Sequence, residues 1–246
     1  VNAKSPNKTY TSFENLKIHG RDSDFRTYEI EEVFSTQSQK GQDIKILKLS
    51  NDVGLCLSLN DDLMALQCNQ DFLHKHMVQL GASNLKHHAR NITILGGGDG
   101  GVLKQCLKLK PRTIKLLELD KEVVSICKKY LPHISEGSLE HDKVKIIYGD
   151  AFETIKKVRK NSQHLVFIDM ADAATIESNQ VFGSKSDNLF LSIKRCLKDD
   201  GVVVAQASVS QQKVLSAFKK YFKHSYGWTD NFDLNSANSF VYAIKR

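Results

Sequence analysis

A chain of 246 residues has room for one large α/β domain with a small accessory element, or for two modest domains, and its interior can hold a substantial core. Its hydrophobic fraction of 41% and charged fraction of 26% are those of an ordinary globular protein, and no apolar run approaches the roughly 20 residues that cross a bilayer, so a membrane partner is not expected. The formal net charge of +7 raises the question of a nucleic-acid partner, but the cations, among them Lys104, Lys108, Lys128, Lys156 and Lys219, alternate with acids along helix-like faces and read as solvated surface.

Residues 1–20 are polar, without a convincing period and without the apolar core of a signal peptide, and read as the lead-in to a cytoplasmic protein. Residues 21–68 offer strand-like pieces at Thr27 to Phe34, Ile44 to Leu49 and Gly54 to Leu59. Gly41, Asn51-Asp52 and Asn60-Asp61-Asp62 punctuate them, which predicts a small antiparallel β domain.

From residue 69 to 246 the pattern changes. An amphipathic stretch from Asp71 to Leu80 is followed by strand-sized apolar runs at Ile92 to Leu95, Ile114 to Leu117, Val144 to Ile147, Leu165 to Ile168 and Val202 to Ala205. Helical candidates separate them at Val102 to Lys108, Glu122 to Tyr130, Phe152 to Arg159, Asn188 to Leu197 and Gln211 to Phe222. Alternation of this kind predicts an α/β fold, a Rossmann-like, methyltransferase-type doubly wound sheet behind the small β domain. In such sheets ligands bind beyond the carboxyl ends of the strands, where the strand order reverses.

Four segments at predicted strand ends carry chemistry. Gly96-Gly-Gly-Asp-Gly-Gly101 joins a strand to a helix, and its glycines allow a ligand to approach the backbone closely. Asp99 within it would repel a pyrophosphate but suits a cationic ligand bearing an amino group. Glu118 stands about 20 positions further on, where this fold class grips ribose hydroxyls. Asp150 follows Gly149 after the third run and can accept from an exocyclic adenine amine, cap the next helix, or do both. Asp169 and Asp172 are two carboxylates three residues apart after a strongly apolar strand, able to hold a cationic amine and draw off its proton.

The five cysteines, Cys56, Cys68, Cys106, Cys127 and Cys196, are scattered without CxxC spacing and read as reduced core thiols. Nine histidines show no metal-ligand spacing. His74 and His76 would diverge on a helix, so no metal is expected.

Taken in order, these segments resemble the spermidine and spermine synthases, the polyamine aminopropyltransferases, whose glycine motif is matched by Gly96 to Gly101 without change. The similarity covers about residues 21–246 and looks nearest to the animal spermine synthases, through Tyr28-Glu-Ile-Glu-Glu-Val33, Gln42-Asp-Ile-Lys-Ile-Leu47 and Lys108-Leu-Lys-Pro111. The resemblance implies decarboxylated S-adenosylmethionine as co-substrate, a polyamine acceptor and a homodimer. It also implies a nucleoside site lined by Gln42, Gly96, Gly97, Gly98, Asp99, Gly100, Glu118, Asp150 and Ala151, with Asp169 as catalytic acid/base and Asp172 as its supporting carboxylate.

The acceptor half departs from the family pattern. Asn69 stands where an amine-binding Asp is usual, and Asp61 replaces a usual Gly. Residues 231–239 lack the expected Tyr or Glu, leaving Asp233 as the candidate substitute beside Asn69 and Asp172. Two other readings therefore accompany aminopropyl transfer: an amine N-methyltransferase using intact S-adenosylmethionine, and a non-catalytic homologue that binds nucleoside or polyamine.

Overall fold

The computed structural model describes residues 30–50, 53–68, 70–170, 186–207, 211–230 and 238–246. A four-stranded antiparallel sheet comes first, β1 (Ile30–Gln37), β2 (Asp43–Leu49), β3 (Gly54–Leu59) and β4 (Asp62–Leu66), in the order β1-β2-β3-β4. The β4 strand was not expected. Asn60 and Asp61, both at positive φ, form the tight turn, so Asp62 already opens the returning strand. Alternation in β2 and β3 sends Ile44, Ile46 and Leu57 to one face, against Val123, Ile126, Cys127 and Ile134, while Leu47, Leu49 and Cys56 cluster with Leu63.

The second sheet has seven strands: β5 (Asn91–Gly96), β6 (Thr113–Glu118), β7 (Val144–Tyr148), β8 (Gln163–Asp169), β9 (Leu197–Gln206), β10 (His224–Asp230) and β11 (Asn238–Ile244). Their order is β10-β11-β9-β8-β5-β6-β7. The strands from β9 to β7 run parallel, and β11 and β10 add antiparallel to β9. The expected fold class is borne out. Ile92, Ile94, Leu95, Leu165, Val166, Phe167 and Val202 to Ala205 are all fully buried, as strands covered on both faces require.

Helices α1 (Gln70–Ser83) and α2 (Gly101–Lys108) cover one face, where Met77, Val102 and Leu103 pack on Ile92, Ile94, Phe167 and Val204. Helices α5 (Ala151–Thr154), α6 (Ser186–Cys196) and α7 (Gln211–Lys219) cover the other, with Phe190 edge-on to Phe218 at 5.1 Å between ring centroids. Between them in sequence lie α3 (Lys121–Tyr130) and the single turn α4 (Pro132–Ser135). Each fully buried large aliphatic or aromatic side chain contributes roughly 1.5–3 kcal/mol, so these two layers dominate the stability.

Three expectations are corrected. The helix expected over Phe152 to Arg159 stops at Thr154 and tightens to a 3₁₀ turn over Ile155–Lys157. The Arg195 guanidinium reaches the carbonyls of Ile155, Lys156 and Val158 at 3.3, 2.9 and 2.6 Å, taking acceptors a longer helix would use. The helix expected through Phe222 ends at Lys219, and the chain after it forms the β10–β11 hairpin. Finally, four cysteines are buried thiols but Cys68 is exposed.

Candidate active site

The strand order reverses between β5 and β8, because the chain leaves β5 toward β6 on one side and returns to β8 on the other. Four predicted site segments converge at the carboxyl ends of the strands there. Gly96, the last residue of β5, stands in register with Asp169, the last residue of β8, and Glu118, the last of β6, stands in register with Tyr148, the last of β7. Asp150 follows two residues later.

The glycine loop is wedged between two carboxylates. A Cβ on Gly97 would lie 2.9 Å from Oδ2 of Asp169, and a Cβ on Gly98 would lie 3.0 Å from Oε2 of Glu118. A side chain at either position would have to push a carboxylate aside, so the glycines let the backbone lie close to both acids. Gly100, at φ +80, starts α2, and the Asp99 carboxylate accepts from the Gly101 N–H at 2.6 Å. Asp99 is thereby held at the mouth of the helix with its side chain only 13% exposed.

Glu118 is buried, and its carboxylate accepts from the Asp120 N–H at 3.0 Å. Burial pushes its pKa up to about 7, against the opposing pull of the backbone hydrogen bonds from Asp120 and Leu119. The same strand end is tied to its neighbour by the Gly149 N–H, which donates to the Glu118 carbonyl at 2.9 Å. Asp150 is exposed and caps α5, accepting from the Phe152 N–H at 2.8 Å, while Ala151 is buried. Gln42 lies just before β2, in a turn where its N–H donates to Ser38 Oγ at 3.2 Å. That turn reaches the start of α3, since the Gln39 N–H donates to Glu122 at 3.1 Å. Asn69, Asp172 and Asp233 lie outside the described residues.

Three neighbours escaped the sequence reading. His74, on α1, is buried against the glycine loop, its ring filling the space a Gly101 side chain would need. Its Nε2 is 4.0 Å from Oδ2 of Asp99, its Nδ1 has no hydrogen-bond partner among the described residues, and burial lowers its pKa although Asp99 pulls the other way. The signal was present in the helical period, which puts His74 on the buried face with Gln70, Met77, Val78 and Gly81. Leu119 and Tyr148, 41% and 49% exposed, give the strand ends beside Glu118 and Asp150 an apolar rim. His76 points elsewhere and stacks on Trp228 at 6.0 Å. Among the described residues no group of three His, Cys, Asp or Glu side chains is arranged to hold a metal ion, and no helix is long and apolar enough to cross a membrane.

Comparison with known proteins gives a family for the chain. Residues 70–226 match the model of the spermine/spermidine synthase domain. Relatives include polyamine aminopropyltransferases of two Prochlorococcus marinus strains, MIT 9312 at 29% identity over 79% of this chain and 69% of that one, and MIT 9301 at 32% over 76% and 67%. Another, from Pyrobaculum calidifontis, is 27% identical over 84% of this chain and 76% of its own. In fold, the chain superposes on spermidine synthase from Thermotoga maritima with a TM-score of 0.73, at 22% identity, over 87% of this chain and 73% of that one. It superposes on a spermidine synthase in complex with the transition-state analogue AdoDATO with a TM-score of 0.81, at 19% identity, over 99% and 84%. These relatives are bacterial and archaeal, so the likeness to animal spermine synthases rests on the sequence segments alone. With the domain model spanning more than half of its length, the chain belongs to the spermine/spermidine synthase family.

Proposed function

We propose that this protein transfers the aminopropyl group of decarboxylated S-adenosylmethionine to an amine of putrescine or spermidine, releasing methylthioadenosine. The observation that carries the reading is the glycine loop held between Asp169 and Glu118 at the strand-order reversal. A cationic sulfonium nucleoside needs a surface without cations of its own, a ribose acceptor and a nearby base, and Asp99, Glu118 and Asp169 supply these in one row.

In this reading Glu118 accepts from the ribose hydroxyls, Leu119 and Tyr148 flank the base, and Asp150 and Ala151 line its edge with Gln42 across the site. Asp99 takes the ammonium of the aminopropyl chain, and it would repel the carboxylate of the ordinary cofactor. Asp169, helped by Asp172, orients the acceptor amine and takes its proton. The amine lone pair then attacks the aminopropyl carbon next to sulfur. As that carbon–sulfur bond breaks, its electron pair returns to sulfur as a neutral thioether. Most of the acceleration comes from alignment of nucleophile and leaving group. Asn69 and Asp233 complete the acceptor side, and the working unit is a cytoplasmic homodimer akin to the animal spermine synthases.

The test is product analysis by mass spectrometry, with putrescine and spermidine each offered decarboxylated and intact S-adenosylmethionine. Methylthioadenosine with an aminopropylated amine supports the reading. S-adenosylhomocysteine with a methylated amine would replace it by methyl transfer, and nucleoside binding without turnover of any amine would replace it by a binding role.

A further inference from the structure

The opposite end of the parallel sheet carries a feature that the proposed reaction does not use. There the amino ends of β8 and β9, with the chain between α1 and β5, form a half-open cavity of about 300 Å³ lined by Lys86, His87, Asn161, His164, Lys198 and Asp200 among others. Its two carboxylates are already compensated. Asp200 lies 3.2 Å from both Lys86 and Arg246, and Asp199 lies 3.5 Å from Lys245. Lys198, half-buried in the wall, has no carboxylate within ion-pair distance among the described residues.

His164 is oriented by the backbone. The Asn91 N–H donates to its Nδ1 at 3.2 Å, which leaves the proton of the neutral ring on Nε2 as a donor. Burial, and then the charge of Lys198, push its pKa below the usual histidine value, with Arg90 and His88 adding to the positive surroundings. An uncompensated ammonium and an oriented N–H donor inside one concave surface make a receptor for negative charge, and the cationic substrates proposed above would be repelled from it.

We propose that this cavity is an oxyanion site that takes a phosphate group, with Lys198 supplying the charge and His164 Nε2–H a directed hydrogen bond. Free inorganic phosphate and the terminal group of a phosphomonoester present the same chemistry of recognition.

Histidine imidazole NMR of the whole chain tests this, with inorganic phosphate, AMP and adenosine as separate titrants at constant ionic strength. Phosphate or AMP should shift the His164 resonances saturably and raise its pKa by about one unit, and adenosine should not. A response to AMP alone assigns the site to phosphomonoesters. Lys198→Ala should weaken the response about tenfold while leaving turnover in phosphate-free buffer unchanged. No saturable shift with either phosphate compound, an equal shift with adenosine, or an undiminished response in Lys198→Ala would overturn the proposal. These outcomes do not depend on whether the protein transfers aminopropyl groups.

Discussion

Gly96 and Asp169 are the last paired residues of β5 and β8, and the Asp169 carbonyl occupies the space a Gly96 side chain would need. The glycine also holds φ +76, in the left-handed region. Backbone conformation and close approach thus make the same demand at the point where the glycine loop meets Asp169.

Gly96→Ala should therefore cost about 2 kcal/mol or more in urea denaturation, from left-handed strain plus displacement of β8. Methylthioadenosine affinity should fall with it. An alanine variant of unchanged stability would show that the β5–β8 junction can yield.

Asp169→Asn keeps the size and removes the proton acceptor. Turnover should fall by roughly a hundredfold or more, while methylthioadenosine binding by calorimetry changes little. Equal loss of both would move Asp169 from proton transfer to nucleoside binding.

Glu118 links stability, pH and binding. Its folded pKa of about 7 lies above the ordinary glutamate value of 4.5, so the folded chain holds its proton more tightly than the unfolded chain. That contribution is fully present below about pH 4.5 and is lost as pH rises through 7. Glu118→Gln should accordingly be more stable than the parent at pH 8, on the order of 1–3 kcal/mol, with the gain vanishing near pH 4. The same variant should bind methylthioadenosine more weakly at pH 8, and the parent's affinity should decline as pH falls through 7. A Tm difference independent of pH would remove the link to Glu118 ionisation.

His74 has the opposite sign. Its folded pKa is lowered from 6.5 by burial, so below that value the unfolded chain gains a proton that the folded chain resists, and stability falls with acid. His74→Phe, which keeps a ring beside Gly101, should flatten this acid limb. It should also raise KM for the nucleoside co-substrate more than it lowers kcat, because Asp99 loses its neutral polar neighbour. A variant with an unchanged acid limb would assign the sensitivity to other groups.

Arg195→Met should destabilise the chain by about 1–3 kcal/mol, since it strips the guanidinium from the carbonyls of Ile155, Lys156 and Val158. Amide exchange should accelerate first in α5 and the 3₁₀ turn. Uniform acceleration across the sheet would argue against a local role.

Much was legible from local pattern. The apolar runs at Ile92, Ile114, Leu165 and Val202 announced buried parallel strands, because a strand covered on both faces needs no polar alternation, whereas the run at Val144 became β7, the parallel strand at the sheet's edge, with Lys145 and Tyr148 exposed. The β10–β11 hairpin was not legible. His224 to Asp230 mixes Gly227 with polar residues and becomes a strand by pairing with β11, which itself pairs with β9. The shortened α5 was equally hidden, since its carbonyls are taken by Arg195 from 37 to 40 residues further along the chain.

The same division runs through the candidate site. Sequence alone determined which acids stand at strand ends and that a glycine loop joins a strand to a helix, because strand hydrophobicity and turn chemistry are local properties of the chain. Only the tertiary structure decided that Asp169 and Glu118 flank that loop, that His74 fills the space beside Gly101, and that Glu118 is held near neutral pKa. Proximity and desolvation arise when segments far apart in sequence exclude water from one another, and no local pattern records that.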